Sequence, residues 1–456
     1  MSGTDGQPAP RRRLVMGCAI LGVVLVGLDG AIANIALPTI ARDLAASDAA
    51  TVWVVNSYQL AVTICLLPAA ALGESLGLKR VYGFGLALFT AASLGCALSP
   101  TLGVLVAARL VQGLGGACMA ALGGALVRAI YPRNTLGQGF ALIALAVAIS
   151  AALGPTLAAL ILSVARWPWL FLVNVPVGLV AVPLFFRVAP RGRRVRRPFD
   201  GIGALLNAAA LGLIVMGVDG LGGAARGVAV AELVAGLACA ALLVWQQSRR
   251  AAPLLPLDLL RIPLFALSVC TSMCSYAAQI LAYVSLPFLF QTVMHRSAVA
   301  TGLLVTPWPL LVAVAAPIAG RLSSRYPAAV LGSIGLAVLS TGLVLLAAMP
   351  AMPADWDICW RMAICGVGFG FYQTPNNLTL MTAGPPERSG AASGMVAVAR
   401  TVGWSLGSAL VALIFELRGG AGAVTCLEVG AGLAAVGAMV SVSRASVTAG
   451  PPVSPA

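Results

Sequence analysis

The run LVMGCAILGVVLVGLDGAIANIALP, Leu14 to Pro38, carries one charged side chain, Asp29. An apolar helix of roughly 20 residues, rising about 1.5 Å per residue, crosses a bilayer core of about 30 Å. Arg11, Arg12 and Arg13 precede the run as they would a secretory signal, but the apolar stretch continues past Asp29 to Leu37 without a small-residue cleavage site. It reads as a retained transmembrane helix with one acid inside it. The rest of the chain is of the same kind: of 456 residues, 60% are hydrophobic and 9% charged, with a mean hydropathy of +0.98. Soluble proteins carry about 25% charged residues. A large soluble enzyme domain, a collagen-like chain, a disordered chain and a disulfide scaffold are all excluded.

Apolar segments bounded by turn residues and charges fall at 14–36, 51–72, 81–99, 102–127, 139–163, 168–186, 201–220, 228–246, 263–290, 300–320, 327–348, 357–382, 390–415 and 424–442. These predict an all-α membrane protein of fourteen spans. Cytoplasmic loops are enriched in Lys and Arg, which tests the number of spans. With the N-terminus inside, only Arg42, Arg166, Arg226, Arg296, Arg361 and Arg418 fall outside, and Arg109 and Arg400 lie within spans. The other Lys and Arg residues, Arg444 among them, fall inside, so both termini are expected in the cytoplasm. The densest basic stretch, Arg187 to Arg197, serves topology and is also suited to anionic headgroups.

Short, Gly-led basic turns follow span two (Gly73, Glu74, Gly77, Lys79, Arg80) and span ten (Gly320, Arg321, Arg325). Two six-helix bundles related by a parallel repeat would place these turns in equivalent positions. The expected organisation is a bundle over 1–190, a basic linker with two extra helices over 191–255, and a second bundle over 256–456. A transport cavity is expected between the bundles.

A charge at bilayer depth is costly, about 2.5–3.5 kcal/mol on insertion scales, so Asp29, Arg109 and Arg400 need partners or water. Asp29 lies about 22 Å along span one from the inside and Arg109 about 10 Å along span four from the outside, which brings them to similar depth. Either Asp29 titrates during transport while Arg109 responds to its charge, or the two form a permanent salt bridge. Arg400 has no acid at matching depth except Asp29. Polar stripes at helical spacing comprise Asn56, Gln59 and Thr63; Tyr276, Gln279 and Tyr283; and Tyr372, Asn376 and Thr379. They either bond between helices or line a cavity for a bulky, partly apolar ligand. The ten Cys and the single His show no metal-ligand spacing, and no strand-flanked Gly-Lys-Ser/Thr loop exists. No metal, haem or nucleotide cofactor is expected.

These residues resemble the major facilitator superfamily, and more narrowly its fourteen-span drug and proton antiporters of the EmrB/QacA type. Leu28-Asp29 through Asn34 to Pro38 is similar to that family's span-one signature, which implies proton coupling at Asp29. Ala108-Arg109-Leu110-Val111-Gln112-Gly113 resembles the span-four motif whose Arg is associated with proton transfer, and Gly154-Pro155 resembles the core of the span-five antiporter motif. Trp167 to Gly178, Phe199-Asp200-Gly201, Thr306 to Pro309 and Gly390 to Gly407 are further family-like runs. Three departures stand out in the turn after span two, where Glu74, Ser75 and Leu78 replace the usual Asp, Arg and Arg. Ala158-Ala159 replaces a trailing Gly pair in span five.

The resemblance implies a proton-coupled multidrug exporter in a bacterial plasma membrane. With Asp29 as the one acid at depth, lipophilic monocations or neutral compounds are expected as substrates, handled by a monomer with no nucleic-acid partner. A dedicated exporter of one metabolite or antibiotic, and a sensor that binds without transporting, are the alternatives. No His pair, carboxylate pair or nucleophile constellation inside the spans points to catalysis.

Overall fold

The protein is described here by a computed structural model covering residues 9–132, 135–190, 200–222, 226–250, 257–384 and 389–448. Arg133, Arg388, the basic stretch from Arg191 and Phe199 lie outside the described residues. Every described element is helical, as it must be in hydrocarbon, where backbone N–H and C=O groups have no water to pair with.

The chain divides into two compact units, one of residues 1–254 and 290–303, the other of residues 255–289 and 304–456. The first contains α1 (Ala9–Asp43), α2 (Asp48–Leu76), α3 (Leu78–Ala97), α4 (Leu102–Ile130), α5 (Leu136–Val164), α6 (Trp169–Leu172), α7 (Asn174–Val188), α8 (Gly201–Gly220) and α9 (Arg226–Ser248). Local chemistry sets the starts: Ser47 and Thr101 cap α2 and α4 by accepting the Ala50 and Val104 N–H groups. Between α2 and α3 the chain turns on Gly77 alone, at φ 99°, a conformation that a Cβ would strain.

The second unit contains α10 (Leu257–Leu260) and α11 (Pro263–Phe288), which Pro287 brings to its end; most of the π-helical turn that follows, Leu289–Val293, and of the next helix belongs to the first unit. α12 (Ala298–Val305) and α13 (Pro307–Leu322) form one span broken before Pro307. Then come α14 (Ala328–Ala347), α15 (Asp355–Thr382), α16 (Ser389–Arg418) and α17 (Gly422–Thr448).

Helix pairing inside the two units follows one pattern. In the first, α4 packs on α2 and α3, α1 on α5 and α7, and α3 on α7; in the second, α15 packs on α13 and α14, α11 on α16 and α17, and α14 on α17. Thirteen of the described helical segments are long and apolar enough to cross a membrane. The twelfth segment read from the sequence is α15, a continuous helix of 28 residues whose polar side chains, Tyr372, Gln373, Asn376 and Asn377, keep its hydropathy below that of the others.

α8 packs on α2, and α9 on α8. Pro68 has no N–H to offer the Ile64 carbonyl, and Asn207 of α8 donates its amide to that oxygen at 3.0 Å. One helix end is held by Trp53, whose Nε1 donates to Asp219 at 2.9 Å. At the other, the Asp200 carboxylate accepts the Gly203 N–H (2.9 Å) and the amides of Gln246 (3.1 Å) and Gln247 (2.6 Å), and Arg250 lies 3.2 Å away. Apolar side chains along α9, among them Val230, Val234, Leu237 and Trp245, remain exposed, as a lipid-facing helix requires.

Candidate functional site

Asp29 and Arg109 meet in a buried ion pair, each side chain 1% exposed. Arg109 Nη1 donates to Asp29 Oδ2. The other carboxylate oxygen, Oδ1, accepts Gln112 Nε2 at 2.8 Å and Asn174 Nδ2 at 3.2 Å. Gln112 lies one turn from Arg109 on α4, and its amide nitrogen also donates to Ser93 of α3 at 2.9 Å. Five helices therefore converge here: α1 supplies the acid, α4 the base and an amide, α7 a second amide, α3 a hydroxyl, and α2 a carbonyl and an aromatic face.

Arg109 does not depend on the carboxylate alone. Its Nε donates to the Val54 carbonyl at 3.0 Å, its Nη1 to Gln112 Oε1 at 2.6 Å, and its guanidinium lies 4.3 Å from the Tyr58 ring centroid. Gly113 makes this reach possible, since a Cβ there would fall 2.6 Å from the Tyr58 carbonyl. Gln112 and Asn174 had been visible in the sequence only as members of family-like runs. Their signal was a polar side chain on an otherwise apolar helix, which marks a bonded group without naming its partner.

Beyond the ion pair, α1 and α5 approach through small residues. A Cβ on Gly154 would sit 2.4 Å from that of Ala31, two positions along from Asp29. Ala158 and Ala159, which replace the family's Gly pair, are buried. The room comes from the other side: Gly302 faces them, where a Cβ would lie 2.4 Å from the Pro155 carbonyl and 2.7 Å from Ala159. Asn56 and Gln59 are buried on α2. Neither polar atom of the Asn56 amide has a hydrogen-bond partner among the described residues, a condition that costs about 1–3 kcal/mol per group.

In the second unit the predicted polar stripe divides. Tyr276 accepts a hydrogen bond from Gln373 at 3.1 Å and packs edge-on against Phe369 and Trp404, with centroids at 5.5 and 5.7 Å. Gln279 accepts from Trp404 Nε1 at 3.2 Å, and Tyr283 packs on Trp308 at 5.0 Å. Arg400 lies over the Trp404 ring at 5.4 Å. Tyr372 and Asn376 are fully buried, and their contacts are bonds between helices: Asn376 donates to Ser272 at 2.7 Å and to the Ser268 carbonyl at 3.3 Å. Its carbonyl accepts Arg444 at 2.5 Å.

Arg444 corrects the sequence reading, which placed it beyond the last span. α17 continues to Thr448, and the guanidinium, 0% exposed, folds back to Ser441 and across to Ser268 at 3.0 Å. A hydropathy boundary records where apolar composition ends; a helix goes on while its polar groups find partners.

In the turn after span two, Gly73 and Gly77 are buried and Glu74 and Arg80 exposed, with Lys79 between these extremes. A Cβ on Gly73 would meet Leu122 of α4 at 2.3 Å, so the turn is seated on the helix that carries Arg109.

A family model described as Major Facilitator Superfamily matches residues 19–408. The uncharacterized transporter YebQ of Escherichia coli strain K12 is 48% identical over 440 residues, covering 96% of each chain. Multidrug resistance protein Stp of Mycobacterium tuberculosis is 33% identical over 399 residues, covering 86% of this chain and 73% of that one. Among solved structures, a D-xylose–proton symporter superimposes with a TM-score of 0.67 at 14% identity, covering 94% of this chain and 96% of the other. At that identity the likeness is one of fold.

Proposed function

We propose, from the premise that the chain belongs to the Major Facilitator Superfamily, that it is a proton-coupled exporter. It moves bulky, partly lipophilic small molecules out of a bacterial cell by alternating access, as a monomer in the inner membrane with both termini cytoplasmic. The multidrug resistance name of a relative at 33% identity supports the direction of transport.

The observation that carries proton coupling is the shared custody of Arg109. Removing one partner of a buried ion pair costs about 3–5 kcal/mol when the other is left bare. Here Gln112, the Val54 carbonyl and the Tyr58 ring continue to hold the guanidinium when Asp29 takes a proton. The acid can be neutralised without stranding the base. A proton arriving at Asp29 thus loosens α1 from α4 while Arg109 stays anchored to α2, a local change at the junction of five helices. Loss of that proton on the opposite side restores the pair.

The test is transport by the purified chain in liposomes under an imposed pH gradient, followed with a fluorescent lipophilic dye. Gradient-driven movement in the native chain and its loss in a monodisperse Asp29→Asn variant are expected. Undiminished gradient-driven movement in Asp29→Asn would remove the coupling role.

A further inference from the structure

Arg400 lies inside α16, eleven residues from its first residue, Ser389. Between Asp258 and the end of the chain, the acids are Asp355, Asp357, Glu387, Glu416 and Glu428. Along α16 itself, Glu416 is about 24 Å from Arg400 at 1.5 Å per residue. Among the described residues Arg400 forms no ion pair, and its buried Nε has no hydrogen-bond partner. The acid of the first unit, Asp29, is already engaged by Arg109, Gln112 and Asn174. Among the described residues Asp29 is the one acid far from both ends of its helix; Glu232, Glu416 and Glu428 lie within six residues of the ends of theirs.

The surroundings of Arg400 are aromatic and amide in character. Trp404 lies one turn along the same helix beneath the guanidinium, and the buried Tyr276 braces it, packing edge to face against both Trp404 and Phe369. The Trp404 N–H is committed to Gln279 and the Tyr276 oxygen to Gln373, so the rings are held in orientation. Arg400, Trp404 and Gln373 are each only half-buried, so the group reaches a surface. An arginine fork suits the oxygen pair of a carboxylate, and the Trp404 ring suits a flat conjugated system.

We propose that Arg400, with Trp404, Tyr276 and Gln373, forms an anion-recognising subsite, and that the exported compounds carry an acidic group on a planar aromatic framework. This rests on the exporter reading for its direction of transport and reverses the charge expected from the sequence, which pointed to cationic or neutral substrates. The ligand supplies the negative charge that no described residue places beside Arg400, and Arg400 is the residue that selects for it.

Three probes of one ring system test the subsite: 9-anthracenecarboxylate, 9-anthracenecarboxamide and 9-anthracenemethylammonium, bound to the full purified chain in detergent and followed by their fluorescence. The carboxylate is expected to bind about tenfold or more tighter than the amide, the size of a charge-assisted hydrogen bond, and the ammonium weakest of the three. Arg400→Gln should erase the preference while leaving amide binding in place, which also shows that the variant is folded; Arg400→Lys should restore part of it. Equal binding of carboxylate and amide by the native chain, no carboxylate binding at all, or a preference that survives Arg400→Gln overturns the proposal. The exporter reading is separated by transport: an Arg400-dependent anion preference without gradient-driven movement leaves the subsite standing and removes the exporter.

Discussion

The side-chain amide of Asn207 donates to the backbone carbonyl of Ile64 at 3.0 Å, taking the place of the N–H that Pro68 does not have. A proline in a helix thus creates the attachment point for another helix, and α8 is held to α2 by a bond that only this break makes available. Such a carbonyl facing hydrocarbon would be costly, since lipid offers it no donor.

Asn207→Leu is expected to destabilise the protein by about 1–2 kcal/mol, the cost of a stranded buried acceptor. In a Pro68→Ala background, where the Ile64 carbonyl regains a helical donor, the same change should cost less than half as much. Chemical unfolding of the four proteins in detergent gives the coupling, and strictly additive effects would show that the two residues act independently.

Gly154→Ala places a methyl group against Ala31, and overpacking of this kind costs about 1–3 kcal/mol. Because the clash is with one Cβ, Ala31→Gly should recover most of the loss in the double variant. Unfolding midpoints read the effect, and the single variant should also slow gradient-driven exchange through its displacement of α1 beside Asp29. A double variant no more stable than Gly154→Ala alone would contradict the 2.4 Å approach.

Asn376→Leu removes a carbonyl from the buried Arg444 guanidinium, and its cost is expected at about 3 kcal/mol or more, since a buried charge loses a partner. Arg444→Met in the same background should win part of this back. Residues in one network couple by about 0.5–3 kcal/mol, so a double-mutant cycle that closes to zero would place them in separate networks.

At Asp200, burial pushes the carboxyl up, but the Gly203 N–H, the Gln247 and Gln246 amides and the Arg250 charge together hold it below the usual carboxylate range. A depressed folded value means that the group adds stability above its unfolded value of about 3.9 and loses it as pH falls through the lower folded value. The stability difference between the native chain and Asp200→Asn should therefore be flat from about pH 5 to 8 and shrink below about pH 4. Thermal unfolding across that range checks the sign, and a difference that widens in acid would reverse it.

Much of the architecture was legible in composition and periodicity. Apolar runs bounded by charges and turn residues marked the spans, including α15, whose polar stripe lowers its hydropathy without interrupting the helix. The candidate site was legible in part. Asp29 and Arg109 stood out because a charge in an apolar run has few explanations, whereas Gln112 and Asn174 are uncharged and resemble any interhelical amide. Tyr372 and Asn376 shared a stripe with Thr379, which bonds only the Pro375 carbonyl of its own helix, and only their neighbours showed Asn376 to be bonded across helices.

The sequence by itself determined that this chain spans a membrane many times, and that its helices carry few charges at depth, Asp29, Arg109 and Arg400 among them. These follow from local quantities: transfer energy summed over roughly 20 residues, and the helical period that assigns side chains to faces. Only the tertiary structure decided which of those charges are satisfied. Asp29 finds Arg109 eighty residues away, Arg444 is drawn back into the bundle by Asn376, and Arg400 is left beside an aromatic face with no acid. Such pairings depend on which helices touch and at what height, and hydropathy, being summed along the chain, contains no term for contact across it.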